Sequence, residues 1–175
     1  YKHAGGGGEG EDAREDEYGE ALSPEQLVTQ VEQMIARYGF GSVKFKAGVL
    51  DPEIEIETIK QLRKTLGPGV PLRIDPNGAW SVETSVKVGI ALAEELSGGG
   101  YLEDPTAGLE GMAEVRKRLL AEGIDTPLAS NVAVTSFADL PRSIKLDAVQ
   151  IVLCDHHYWG GARQVQHLGK ICQTF

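Results

Sequence analysis

The chain has 175 residues, 41% of them hydrophobic, and a formal charge of -9; this length supports one domain with a substantial core, and the acidic balance opposes nucleic acid or an anionic membrane as partner, since both favour a basic face. Seven acidic residues and one arginine fall between Glu9 and Glu20, so most of the excess charge is local. There is no signal peptide and no apolar run long enough for a transmembrane helix, and Cys154 and Cys172 lack metal-ligand spacing, which predicts a cytoplasmic protein with reduced cysteines.

Residues 1–22, rich in glycine and acid and poor in apolar side chains, predict an acidic mobile loop, and residues 23–175 predict one domain. From Ser23 the pattern becomes regular. "SPEQLVTQVEQMIARYG" places Ser23 as N-cap, Pro24 at the first helical position, Gln26 closing a capping box, and Leu27, Val31, Met34 and Ile35 on one stripe before Gly39. "SVKFKAG" predicts a strand. "DPEIEIETIKQLRKTLG" repeats the helical scheme with Asp51 as cap, Ile59, Leu62 and Leu66 on one face and Gly67 as stop. "PLRID" predicts the next strand, Ser81 to Leu96 a helix, "GYLED" a strand, the stripe Met112, Val115 and Leu119 another helix, and "PLAS" another strand. A short helix near Ser136, the strand "DAVQIVL" and a helix from about Gly161 to Gln173 complete the series. Strict alternation of short apolar strands with amphipathic helices predicts an α/β protein with about five parallel strands covered by helices.

Polar residues recur at the predicted carboxyl ends of the strands: Lys46, Asp75, Glu103, Asn131 and Asp155. Open doubly wound sheets and (β/α) barrels both place ligands at that edge. No strand is followed by a glycine-rich phosphate loop, which argues against a nucleotide site. Taken singly, each residue has a simpler role. Lys44 and Lys46 alternate to one face of their strand, which also suits a solvated or lysine-protected edge. Asp75 in "DPNG" and Glu103 in "EDP" suit turns, while Asn131 and Asp155 suit helix caps. Taken together, Asp75, Glu103 and Asn131 offer three oxygen donors from three successive strands, a set suited to Mg²⁺. With two lysines beside it, such a centre suits removal of a proton next to a carboxylate. One lysine would be the base, its pKa lowered by its like-charged neighbour.

In chain order, "VKFKAGVL", "DPNGAW", "EDP", "ASN" and "DHHYWGG" resemble the Lys-x-Lys strand, the three metal-ligand strands and the dyad-aspartate strand of the glucarate dehydratases of the enolase superfamily, over residues from about Ser23 to Phe175. The resemblance implies a partial (β/α) barrel without the capping domain, and a Mg²⁺ centre on Asp75, Glu103 and Asn131. It further implies Lys46 as base with Lys44 assisting, Lys44, Asp75, Asn77 and Asn131 as substrate contacts, and Asp155 orienting a dyad histidine. That histidine belongs to the strand after that of Asp155; His156 and His157 directly follow Asp155 and do not replace it. Glu110 in "GLEG" is a second acidic candidate, ranked behind Glu103.

The implied reaction is dehydration of D-glucarate or L-idarate to 5-dehydro-4-deoxy-D-glucarate. A small-molecule aldarate would be the partner, and the full-length form would be open to homo-oligomerisation. Relative to the family, the first and the last two barrel strands are lacking, so the chain reads as a fragment with little activity alone. The rivals are dehydration of another acid sugar, and a non-catalytic fragment acting only as a binding module.

Overall fold

The computed structural model describes residues 17–174. Of the loop expected over 1–22, residues 1–16 lie outside the described residues; beyond them, Ala21 is buried and Glu17 pairs with Arg37 at 2.7 Å.

The helix starts follow from local capping. In α1 (Pro24–Tyr38) the Ser23 hydroxyl accepts the Gln26 N–H at 3.2 Å, and the Gln26 side chain accepts the Ser23 N–H at 3.1 Å. The chain stops at Gly39, which is left-handed at φ 68°. After β1 (Val43–Lys46), α2 (Pro52–Leu66) opens on Asp51, whose carboxylate accepts the Glu53 N–H at 2.9 Å. Its inner stripe buries Ile56, Ile59 and Leu62, worth about 1.5–3 kcal/mol per side chain relative to exposure. Then follow β2 (Leu72–Asp75), α3 (Val82–Ala91), β3 (Tyr101–Glu103), α4 (Gly108–Ala121), β4 (Leu128–Ser130), α5 (Leu140–Leu146), β5 (Ile151–Val152) and α6 (Ala162–Cys172).

The five strands form one parallel sheet in the order β1-β2-β3-β4-β5, with Lys46 in register with Asp75 and Glu103 with Ala129. Because every strand runs the same way, all carboxyl ends share one edge. Among the described residues no helix is long and apolar enough to cross a membrane.

Three boundaries differ from the sequence expectation. The helix expected to reach Leu96 ends at Ala91, and the chain continues as turns to Gly99, where the Ala93 and Ser97 N–H groups donate three residues back, to the Ile90 and Glu94 carbonyls at 3.5 and 3.2 Å; Arg63 donates from Nε at 3.0 Å and from Nη2 at 2.5 Å to the Glu95 carbonyl, holding this turn against α2. The helix expected near Ser136 begins at Leu140, since the Asp139 carboxylate accepts the Thr135 and Ser136 N–H groups at 3.1 and 2.9 Å and folds residues 135–139 into a turn. The strand expected over "DAVQIVL" is two residues long; the Gln150 side chain accepts the Leu128 N–H at 3.0 Å, where strand backbone would otherwise pair.

Gly100 leads into β3 through a gap that admits no side chain: a Cβ there would lie 2.3 Å from the Leu72 carbonyl oxygen and 2.5 Å from that of Leu96. Both obstacles are backbone, so the sheet itself would have to shift. Gly100→Ala is expected to cost about 1–3 kcal/mol, read as a lower urea midpoint at unchanged slope; an unchanged midpoint would refute this reading of the contact.

Candidate active site

At the shared carboxyl edge, β1, β2 and β3 bring their polar ends together. Lys44 and Lys46 lie on the face opposite buried Phe45. Lys44 Nζ donates to both Glu103 carboxylate oxygens at 2.9 Å and lies 3.3 Å from Asp75 Oδ2. Lys46 Nζ pairs with the same Asp75 oxygen and donates to Asn77 Oδ1 at 2.9 Å. Asp75 and Glu103 are each 0% exposed, whereas the Lys46 side chain is 58% exposed. Asp75 does serve its turn, because Oδ1 accepts the Asn77 N–H at 3.0 Å, with Asn77 left-handed at φ 50°; its second oxygen faces the lysines. Turn and site therefore coexist in one residue.

Burial dominates the titration of both carboxyls and pushes each upward. At Asp75 the Lys46 bond and the Asn77 N–H outweigh it, holding the group below its usual value. At Glu103 burial, reinforced by the Asp75 charge, outweighs Lys44 and the group is raised. Burial also opposes charge on Lys44, yet Glu103 and Asp75 hold its ammonium above the ordinary lysine value. The like-charged lysine pair anticipated from spacing is thus met by two carboxylates, one largely committed to each ammonium.

β4 adds Asn131. It does not cap a helix, because α5 begins only at Leu140. Its Nδ2 donates to Asp155 Oδ2 at 3.1 Å, which turns the amide so that Oδ1 is buried without a hydrogen-bond donor. A buried acceptor of this kind calls for a partner, and an amide oxygen at the end of the strand next to β3, on the same sheet edge as two buried carboxylates, is the kind of donor a hard divalent cation takes. Among the described residues no three His, Cys, Asp or Glu side chains group as metal ligands, so Asp75 and Glu103 would take their third donor from the amide. The residues present fit Mg²⁺.

Asp155 is half-buried beside Asn131 and does not cap α6, whose N-cap is Gly161 without a side-chain bond. His156 and His157 are exposed and meet edge to face at 5.4 Å. Glu110 sits in the first turn of α4, exposed and paired with Arg142, apart from the strand ends. A groove of about 520 Å³ between α4 and α5 is likewise separate from this cluster.

Sequence reasoning passed over two buried carboxylates. Glu55 accepts the N–H groups of Gly48, Val49 and Leu50 at 3.1, 3.0 and 3.1 Å, fixing the loop that leaves Lys46; Gly48 is left-handed there, and a Cβ would lie 2.9 Å from Ala79 Cβ. The available signal was its spacing: position 55 falls on the stripe 59, 62, 66 of α2, where an acid is out of place. Asp104 is 0% exposed and left-handed at φ 40°. It was overshadowed by its neighbour Glu103.

A probable glucarate dehydratase of Streptomyces coelicolor is 48% identical over 167 residues, covering 95% of this chain and 37% of the relative. Two solved structures are similar. An enolase from Gibberella zeae PH-1, complexed with magnesium, formate and sulfate, is 48% identical at a TM-score of 0.87, over 99% of this chain and 38% of that one. An enolase from Pseudomonas fluorescens Pf0-1, with bound magnesium, potassium and tartrate, is 52% identical at a TM-score of 0.83, over 92% and 36%. The chain thus spans less than two fifths of the length of these relatives. The enolase C-terminal domain-like family matches residues 26–175, and with parallel strands, alternating helices and polar strand ends in agreement, the chain belongs to that family, within the enolase superfamily.

Proposed function

We propose that this chain carries the Mg²⁺ and lysine part of an acid-sugar dehydratase acting on D-glucarate or L-idarate. The observation that carries the reading is the meeting of buried Asp75 and Glu103 with Lys44 and Lys46, supported by the buried, unpartnered oxygen of Asn131 on the same sheet edge. Magnesium bound to the similar enolases and tartrate, a small hydroxy diacid, in one of them support the same metal and substrate class.

Asp75, Glu103 and Asn131 would hold Mg²⁺, which supplies positive charge to stabilise the negative charge developing on the substrate carboxylate. At present the two carboxylates cancel the two lysines. Were Asp75 and Glu103 to hold a divalent cation, both lysines would be free of them and the cluster would carry positive charge, complementary to an aldarate dianion. Lys44, the more buried ammonium, then holds the substrate carboxylate, and Asn77 contacts a hydroxyl. Lys46, more exposed and next to Asn77, takes the proton from C5. The C5–H electron pair forms the C4–C5 double bond as the C4 hydroxyl departs as water, taking a proton from the histidine of the opposite face, and the resulting enol becomes the 5-keto product. Asp155 orients the histidine that serves the opposite face, on a strand beyond this chain. The protein works in the cytoplasm, where Cys154 and Cys172 stay reduced.

The full-length protein should convert D-glucarate to a keto acid trapped by semicarbazide, and EDTA should abolish the reaction. Turnover unaffected by EDTA would defeat the metal assignment, and efficient turnover of another acid sugar with none of D-glucarate or L-idarate would move the substrate. The 175-residue chain alone should turn over poorly, because an open mouth does not exclude water.

A further inference from the structure

Asp104 is bonded to all three segments that carry the proposed metal donors. Its N–H donates to the Ala129 carbonyl at 2.8 Å, and its own carbonyl accepts the Gly78 N–H at 2.7 Å, tying the turn after Asp75 to the ends of β3 and β4. Its side chain grips the stretch after β4. Oδ1 accepts the Ser130 hydroxyl at 2.5 Å, Oδ2 accepts the Asn131 N–H at 3.0 Å, and the Val132 N–H also faces it. The Ser130 oxygen accepts the Ala133 N–H at 2.8 Å in turn. A wholly buried carboxylate held by hydroxyl and amide donors is expensive to place, and the left-handed backbone at a non-glycine residue adds strain. Both costs are met immediately beside Glu103.

We propose that Asp104 is a positioning residue for metal binding: by clamping Ser130 and Asn131 it fixes the Asn131 amide so that Oδ1 meets the oxygens of Asp75 and Glu103. The proposal rests on the Mg²⁺ reading above and adds a residue that touches neither metal nor substrate. An isosteric asparagine puts an NH2 donor where one of the two accepting oxygens stood, so at that position it cannot accept the Ser130 hydroxyl or the Asn131 N–H, and it removes the charge that strengthens the bond that remains; alanine accepts from neither.

Mn²⁺ binding to the 175-residue chain, followed by electron paramagnetic resonance, tests this in a double-mutant cycle. Asp104→Asn should weaken binding about tenfold and Asp104→Ala about a hundredfold, the range for groups that orient metal ligands. In an Asn131→Ala background neither change should weaken it further. Wild-type affinity in Asp104→Asn, or an equal loss in both backgrounds, overturns the proposal. If Asp104→Ala does not fold, Asp104→Asn decides alone. Amide hydrogen exchange supplies a readout without metal: in Asp104→Asn the Asn131 amide should exchange faster while that of core residue Leu62 does not. A wild-type chain that binds no Mn²⁺ defeats the metal reading. The Asp104 assignment is then decided by the exchange data, and uniform acceleration or none overturns it.

Discussion

Lys46→Ala in the full-length protein is expected to slow deuterium exchange at the L-idarate face by about 10²–10⁴-fold, the usual contribution of a positioned base, while exchange at the D-glucarate face survives in part. The reason is geometric, since a base reaches only one face of a tetrahedral carbon and a histidine would serve the other. Lys46 is the lysine with the freer approach, its side chain 58% exposed against 38% for Lys44. Lys44, bonded in this structure to both oxygens of Glu103, would hold the substrate carboxylate once released, and from there its charge would serve either direction of attack. Lys44→Ala should therefore depress exchange at both faces. Exchange into each epimer in D₂O separates the two roles. Wild-type exchange at the L-idarate face in Lys46→Ala would remove the base and return the lysine pair to a purely electrostatic part.

The second large effect is on stability. Glu55→Ala deprives the N–H groups of Gly48, Val49 and Leu50 of their shared acceptor. Glu55 is only 2% exposed while Val49 in the loop is 74% exposed, so water replaces the carboxylate in part. Bonds to a carboxylate contribute about 1.5–3 kcal/mol each, and partial rehydration recovers some of this, so a loss of about 3–4 kcal/mol is expected in urea unfolding. Exchange of the amides at 48–50 should accelerate beyond the global change. A loss below about 0.5 kcal/mol, typical of an inert surface position, would show that the loop holds itself.

Much of this architecture was legible because it rests on local rules. Ser23 with Gln26 and Asp51 with Pro52 announce helix starts, while "DPNGAW", "EDP" and "ASN" mark where short strands end, so the polar residues on one sheet edge could be named from order alone. What escaped depended on contacts distant in sequence. The turns that follow α3 are held by Arg63 reaching across 32 positions to the Glu95 carbonyl. Sequence spacing put Lys44 beside Lys46, but only the fold shows that buried Glu103 and Asp75 lie against them. Asp104 and Glu55 follow the same pattern, for an acid next to a strand end or on a helix stripe reads as turn or surface until its amide donors are seen.

Asp75, Glu103 and Asn131 are expected to share one divalent cation. A crystal structure of the chain grown with Mg²⁺ tests it most directly. The expected result is a single ion about 2.0–2.1 Å from an oxygen of each residue, with the ammonium groups of Lys44 and Lys46 withdrawn from Asp75 Oδ2. Both lysines still paired with the carboxylates at saturating Mg²⁺, and Asn131 Oδ1 without an ion, would contradict it.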